Sequence, residues 1–348
     1  MKKLNFLLAI GAAILSAEEG MEFTPSFQSG MPLPKEDVVA IISQSTREEN
    51  SWKFSISANF NEYQATTDSM ELAYPSNTSN GLFPTFFAPE GPIVTMDFDY
   101  HPGFQVGFIL DTPYDTWSFG GGYLWYRGHS HGSAEPVSST YYRSPIFVGP
   151  FEASLNSINA DWHLDIDMID IYLARPYFSG RKLSVNPFLG LKSGWIRQDF
   201  DLSATIFTAP SNIQTASTDS RAWMIGPKLG FQSNYLIGAR FSLFGNLATS
   251  FLYTRYNTLT LNYLNAIDES SFLSNSGMNT FRSIMDAGLG INWVSNGRFK
   301  ININAAYNLS ILFSQNMDRA LIAIAGTQHV APANLYLSGL SVGTSFVF

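Results

Sequence analysis

A regular alternation of apolar and polar residues constrains the fold of this chain more than any other feature. Over residues 299–311, every odd position holds an apolar or aromatic residue and the even positions are mostly polar. A period of two residues is typical of a β-strand with one apolar face. About ten such stretches follow one another between Trp52 and the C-terminus, which predicts an all-β protein.

The first residues indicate export. Lys2 and Lys3 precede an apolar run from Leu4 to Leu15, and small residues follow at Ser16 and Ala17. This order is that of a signal peptide, so residues 1–17 are predicted to be removed. No later stretch reaches the ~20 consecutive apolar residues of a membrane helix. An exported chain of this kind is either soluble or a membrane β-barrel.

Composition favours the barrel. Only 14% of the residues are charged and 15% are aromatic, whereas soluble domains average about 25% charged residues. The chain therefore has too little charge to cover a soluble surface, and its partner is predicted to be outer-membrane lipid. The net charge of −8 argues against nucleic acid. The absence of cysteine excludes disulfides and thiolate sites.

The connections between the apolar stretches alternate between short and long. The short turns are near residues 111–115, 179–182, 236–239 and 295–298, and the long loops cover about 65–92, 128–157, 208–220, 257–282 and 314–334. Short turns on one side and long loops on the other are typical of an outer-membrane barrel. Residues 51–348 are therefore predicted to form a transmembrane up-and-down antiparallel β-barrel of about ten strands, with short periplasmic turns and long extracellular loops, in the outer membrane of a Gram-negative bacterium.

Tryptophans fall near the predicted strand ends. Trp117 and Trp125 share one face and are eight residues apart, or roughly 20 Å of height in a tilted strand. Aromatic girdles mark both interfaces of such barrels. The predicted girdle residues are Trp52, Trp117, Trp125, Trp162, Trp195, Trp223 and Trp293.

The N-terminal segment of residues 18–50 is predicted to be periplasmic or lumenal. Pro34 precedes three charged residues and an apolar pattern, as at the start of a short helix. Such a helix would plug the lumen or lie at its periplasmic mouth, and a mobile tail is the alternative.

Charged residues on the polar strand faces are predicted to line the lumen. They comprise six carboxylates, five Lys or Arg side chains and two histidines: Lys53, Asp97, Asp99, His101, Asp161, His163, Asp165, Asp167, Lys192, Lys228, Arg240, Asp286 and Lys300. About eight strands leave room mainly for side chains and about 16 enclose a wide channel. Ten strands therefore predict a narrow or plugged pore.

Asp161, His163, Asp165 and Asp167 form the densest charged pattern, on one face of a strand. The apolar phase changes at Met168, which a β-bulge would explain. The pattern fits salt bridges on the lumen wall, and cation binding and acid–base catalysis are the alternatives. No nucleophile motif is present, and proteolysis would need a second acidic pair opposite, so we predict no catalytic residue. We also predict no metal and no cofactor.

Two resemblances support these predictions. Residues Gly339–Phe348 resemble the C-terminal assembly signal of outer-membrane barrels, in which Phe346 and Phe348 would be read by the barrel-assembly machinery. Four stretches within about residues 97–255 resemble the Legionella-type major outer membrane protein family: Asp99–Gly107, Ile169–Tyr177, Asn186–Leu191 and Ile225–Gly230. The resemblance implies a pore-forming outer membrane protein. The disulfide cross-links of many family members have no counterpart here, because this chain lacks cysteine.

The predicted function is therefore passive diffusion of small polar solutes or ions through a narrow pore. The alternative is a non-conducting structural or surface-display barrel that acts in adhesion through its extracellular loops, which contain Phe86, Phe87, Tyr141 and Tyr142. The sequence leaves open whether the protein forms homo-oligomers and whether it contacts a host surface.

Overall fold

A computed structural model gives the arrangement of most of the chain. The described residues are 52–68, 70–76, 91–113, 117–135, 141–144, 146, 155–175, 177–179, 182–206, 213–238, 240–264, 270–295, 300–325 and 331–348. The predicted signal peptide, the segment 18–50, Phe86 and Phe87 lie outside the described residues.

Ten long antiparallel strands close into a barrel. They are β1 (Lys53–Thr67), β5 (Tyr100–Asp111), β6 (Ser118–Ala134), β8 (Leu155–Ala174), β10 (Leu183–Ile206), β11 (Ile213–Leu236), β12 (Phe241–Leu264), β14 (Met278–Val294), β15 (Lys300–Asn316) and β16 (Ala333–Val347). Each pairs with the strands before and after it in this order, and β16 pairs with β1 to close the ring. The predicted ten-stranded up-and-down barrel is confirmed.

Short elements decorate the connections. The short strands are β2 (Glu71–Ser76), β3 (Val94–Thr95), β4 (Asp97–Phe98), β7 (Tyr141–Arg143), β9 (Tyr177–Ser179) and β13 (Ser270–Asn275), and the helix α1 is Asp318–Ala325. Within the part of the chain that the structure describes, no helix is long and apolar enough to cross a membrane.

The periplasmic half of the barrel presents its apolar residues outward. On β1, Phe54, Ile56 and Phe60 are exposed, and the intervening polar residues face the lumen. On β10, Leu189 and Leu191 are exposed in the same way. This face matches lipid, and the lumen is left polar, as in other outer-membrane barrels.

The external half of the barrel reverses this arrangement. On β8, Ile169 and Ile171 are exposed, but Trp162, Leu164 and Ile166 are buried inside the barrel. Above the membrane the outer wall meets water, so the apolar residues there turn inward and pack as in a soluble core.

The predicted β-bulge near Met168 is wrong. The register of β8 against β10 runs without a shift from Met168 to Ile169, where the partners are Gly194 and Ser193. A straight strand that leaves the lipid changes its apolar face without an extra residue. The phase change in the sequence therefore marks the membrane boundary.

Candidate functional site

Four charged side chains meet in the lumen. The Lys192 Nζ lies 2.8 Å from an Asp286 carboxylate oxygen and 3.5 Å from one of Asp170. The Lys228 Nζ lies 3.0 Å from Asp170 and 3.8 Å from Asp286. The hydroxyl of Ser310 also donates to Asp286 at 2.7 Å. We call Asp170, Lys192, Lys228 and Asp286 the charge cluster.

The charge cluster crosses the barrel. Asp170 lies on β8, the two lysines lie on β10 and β11, and Asp286 lies on β14. In the ring of ten strands, β8 and β14 are four positions apart and face one another across the lumen. The lysine side chains are only 7% and 11% exposed. Water therefore has little access to the charge cluster. Buried charges require partners of opposite sign, and here two cations and two anions neutralise one another.

A polar cavity lies on the periplasmic side of the charge cluster. Its volume is about 380 Å³, and its lining comes from the periplasmic halves of the strands. Neutral amides and hydroxyls dominate this lining, among them Asn246, Asn292, Asn302, Asn304, Ser57 and Ser345. We call this cavity the vestibule. Its chemistry suits water and small polar solutes, because each amide both donates and accepts hydrogen bonds.

The lumen on the external side of the charge cluster is filled by buried side chains, and the largest of them are mostly apolar. Leu164, Met224 and Leu252 have no exposed surface, and Ile166 is 1% exposed. Side chains this buried cannot line a water-filled passage. At the level of these four side chains, the described lumen is therefore packed.

Only part of the predicted pore lining faces the lumen. Lys192, Lys228 and Asp286 meet in the charge cluster, and Lys53 points inward in phase with Ser55. Arg240 is exposed in the periplasmic turn between β11 and β12. The side chain of Lys300 lies outside the described residues.

The other predicted lining residues lie on the outer wall, so their lumenal assignment is wrong. Asp161, His163, Asp165 and Asp167 alternate with the buried Trp162, Leu164 and Ile166, and therefore point outward above the membrane. Asp97 and Asp99 are exposed, and Asp97 pairs with the outward His131. The ring of His101 stacks on that of the outward His129, with centroids 4.1 Å apart.

Salt bridges do form along the β8 pattern, but on the outer surface. Arg127 binds Asp167 at 2.7 Å and Asp165 at 3.4 Å, and His131 lies 2.9 Å from Asp161. Among the described residues, no group of three or more His, Asp or Glu side chains has the geometry of a metal site.

The tryptophans divide between the two interfaces and the interior. One row of tryptophans runs around the outer wall across four neighbouring strands. Asp167 on β8 pairs with Trp125 on one side and with Trp195 on the other, and Trp195 pairs in turn with Trp223. Trp52 and Trp117 are exposed near the periplasmic end, and Trp293 lies at the same end of β14. Trp162 is 1% exposed and packs inside the barrel, so its assignment to the girdle is wrong.

Asp170 belongs to the charge cluster but was absent from the predicted lining. It stands between Ile169 and Ile171, on the polar face of the membrane-crossing part of β8. Its place between two lipid-facing isoleucines indicates that Asp170 points into the lumen. The bulge predicted at Met168 hid this, because a bulge would have changed the face on which Asp170 lies.

Known proteins resemble the chain in family and fold. Residues 45–348 match the family model described as the Legionella pneumophila major outer membrane protein precursor. No curated protein matches the chain in sequence. Among solved structures, the outer membrane protease OmpT from Escherichia coli is 11% identical, with a TM-score of 0.43 over 86% of this chain and 99% of the other.

Two further solved structures are similar in the same way. The toluene transporter TodX of P. putida is 10% identical, with a TM-score of 0.36 over 85% of this chain and 89% of the other. Ail, the attachment invasion locus protein of Yersinia pestis, is 9% identical, with a TM-score of 0.25 over 85% and 98%.

Proposed function

The chain belongs to the family of the Legionella pneumophila major outer membrane protein, and we propose that it is a structural, surface-displaying barrel whose lumen is closed at rest. The observation that carries this proposal is the packed apolar interior of the external half, where Leu164, Met224 and Leu252 are fully buried. This function was the alternative in the sequence analysis.

The length of the strands supports a display role. Strands β10, β11 and β12 have 24 residues each, or about 60 Å of height at a tilt of ~40°. The apolar band of such barrels is about 25 Å tall. The wall therefore projects roughly 30 Å beyond the lipid and holds its loops away from the membrane surface. Burial of apolar side chains inside this projecting part stabilises it where lipid no longer covers the wall.

Display is tested on whole cells. External protease should cut the loops and abolish binding of the cells to a host surface, and the barrel should stay folded in the membrane, as shown by its heat-dependent gel mobility. Unchanged cell binding after complete loop cleavage would contradict the display role. The matched control is a strain that lacks the protein. Protease treatment should leave the binding of that strain to the host surface unchanged.

A second candidate is the predicted diffusion of small polar solutes through a narrow pore. The vestibule favours it, because its polar space of about 380 Å³ lies in the periplasmic half of the barrel. A second cavity of about 180 Å³ is lined by Asp170, Lys228 and Asp286 of the charge cluster. Passage would require the charge cluster and the apolar core beyond it to move. The two lysines and two aspartates balance, so such a pore would select weakly between anions and cations.

Conduction is tested with a core variant. Leu252→Ser places a polar, smaller side chain in the sealed half, and Leu236→Ser, at the periplasmic end of β11, is the matched control. A conductance that appears with Leu252→Ser alone supports a seal at that level. Equal conductance in both variants would contradict it.

A further inference from the structure

The chain turns into the external mouth of the barrel near the end of β15. Ser314 has a φ of 53°, a left-handed conformation that non-glycine residues adopt only at a cost. The register of β15 against β16 shifts at the same place, between Leu312 and Asn316. Gln315, Asn316 and the first residues of α1 are buried beyond this turn. We call Gln315–Ile322 the plug segment.

Several strands hold the plug segment from inside the barrel. The side-chain amide of Gln198 on β10 and the hydroxyl of Tyr256 on β12 both donate to the carbonyl oxygen of Gln315, each at 3.3 Å. Arg282 on β14 lies 3.5 Å from the sulfur of Met317. Leu321 belongs to the apolar cluster of the external half. The plug segment therefore closes the external end of that core.

Asp318 is the unusual residue of the plug segment. It is 1% exposed, and its Oδ1 accepts a hydrogen bond from the hydroxyl of Thr218 at 2.8 Å. Its Oδ2 is buried and has no hydrogen-bond partner among the described residues. A carboxylate in this position lacks the partners that a buried charge needs, whereas a neutral carboxylic acid is tolerated. Burial therefore raises the pKa of Asp318 to about 7.

The described surroundings of Asp318 do not compensate a negative charge on its carboxylate. After burial, the largest effect on the pKa of Asp318 is the hydrogen bond from Thr218, which lowers it, whereas the nearby Asp199 and Asp219 raise it. Asp199 and Asp219 each pair with an arginine on their own strand. Among the side chains that the structure describes, the titratable and charged groups around it are Asp199 and Arg197 on β10, Asp219 and Arg221 on β11, Tyr256 on β12 and Arg282 on β14. No described salt bridge joins Asp318 to any of these arginines.

We propose that the plug segment is a pH-sensitive lock on the external mouth, docked while Asp318 is neutral and loosened when Asp318 ionises. This goes beyond the proposed display function and does not depend on conduction. The pKa of Asp318 is near 7 when the plug segment is docked, against 3.8 for an exposed aspartate. Docking is therefore favoured most below about pH 4, where Asp318 is protonated in both states. The docked fraction then falls with rising pH up to about 7 and is constant above it. The undocking equilibrium should shift by on the order of a thousandfold across this range.

The test uses the absence of cysteine in the chain. Ala320→Cys places one thiol in the buried plug segment, and Ser276→Cys places one at an exposed position between β13 and β14. A membrane-impermeant methanethiosulfonate reagent labels each refolded barrel in lipid vesicles from pH 4.5 to 7.5. The ratio of the two rates removes the pH dependence of the thiol itself.

The labelling ratio should rise at least a hundredfold over this range. With Asp318→Asn added, the side chain is neutral at every pH and the ratio should stay flat. A flat ratio in the parent, no labelling of the introduced plug thiol at either pH, or an unchanged rise with Asp318→Asn would overturn the proposal. Hydrogen exchange at the amides of residues 317–322 in the unmodified chain, corrected for the intrinsic pH dependence, gives the same test without any substitution.

Discussion

Replacing Lys192 with methionine should destabilise the barrel strongly, because it leaves the charge cluster with one cation and two anions. Lys192 lies 2.8 Å from Asp286 and 3.5 Å from Asp170. At an effective dielectric constant of about 20, these two attractions amount to roughly 10 kcal/mol before desolvation. The lysine side chain is only 7% exposed, so desolvation offsets much of this attraction. Removal of one partner from a buried ion pair typically costs about 3–5 kcal/mol.

The assay is equilibrium urea unfolding of the refolded barrel in lipid vesicles, followed by tryptophan fluorescence. We expect Lys192→Met to lower the free energy of unfolding by about 3–5 kcal/mol. Lys182→Met, at an exposed periplasmic turn, is the matched control and should change it by less than about 0.5 kcal/mol.

The double variant Lys192→Met/Asp286→Leu should recover most of the loss. It removes one charge of each sign and keeps the Lys228–Asp170 pair, whose atoms are 3.0 Å apart. A single variant within about 1 kcal/mol of the wild type, or a double variant no more stable than the single one, would refute a mutually neutralised cluster.

Two further predictions concern the wall of the barrel. Gly226→Ala should lower the free energy of unfolding by about 1–3 kcal/mol in the same assay, because an added Cβ would meet the backbone carbonyl oxygen of Phe251. Gly238→Ala should be nearly neutral, because an added Cβ there would meet no described atom within 4 Å beyond the neighbouring residues of the chain. Equal losses in the two variants would contradict this reasoning. Brominated lipids should quench the exposed Trp195 but not the buried Trp162, so Trp195→Phe should lower the quenched fraction of the fluorescence and Trp162→Phe should raise it; a fall with Trp162→Phe would place that ring in lipid.

The strand count and topology could be predicted from the sequence, because each strand carries its own alternation and each connection its own length. The direction of a strand face could not be predicted from alternation alone. Apolar residues face lipid where the strand crosses the membrane and face the interior above it, as Ile169 and Ile166 show on β8. Asp165 and Asp167 were placed in the lumen because one medium was assumed along the whole strand.

The charge cluster was predictable in part. Lys192, Lys228 and Asp286 stand on polar faces of apolar stretches, so their inward direction follows from the sequence. Their mutual contact depends on the register of β10 against β11 and on the proximity of β14 across the ring. Neither is written in the local pattern. The burial of Asp318 is still less accessible, since it depends on a loop that folds back into the barrel.

Single-channel recording tests the closed lumen most directly. The refolded mature chain, from about residue 18, is inserted into a planar lipid bilayer at pH 4.5, where the plug segment is expected to be docked. The packed external half, with Leu164 and Leu252 fully buried, predicts no steady stepwise current, although insertion is shown by protease protection and gel mobility. Stable unitary openings of the wild-type chain under these conditions would contradict a closed barrel and support the narrow pore.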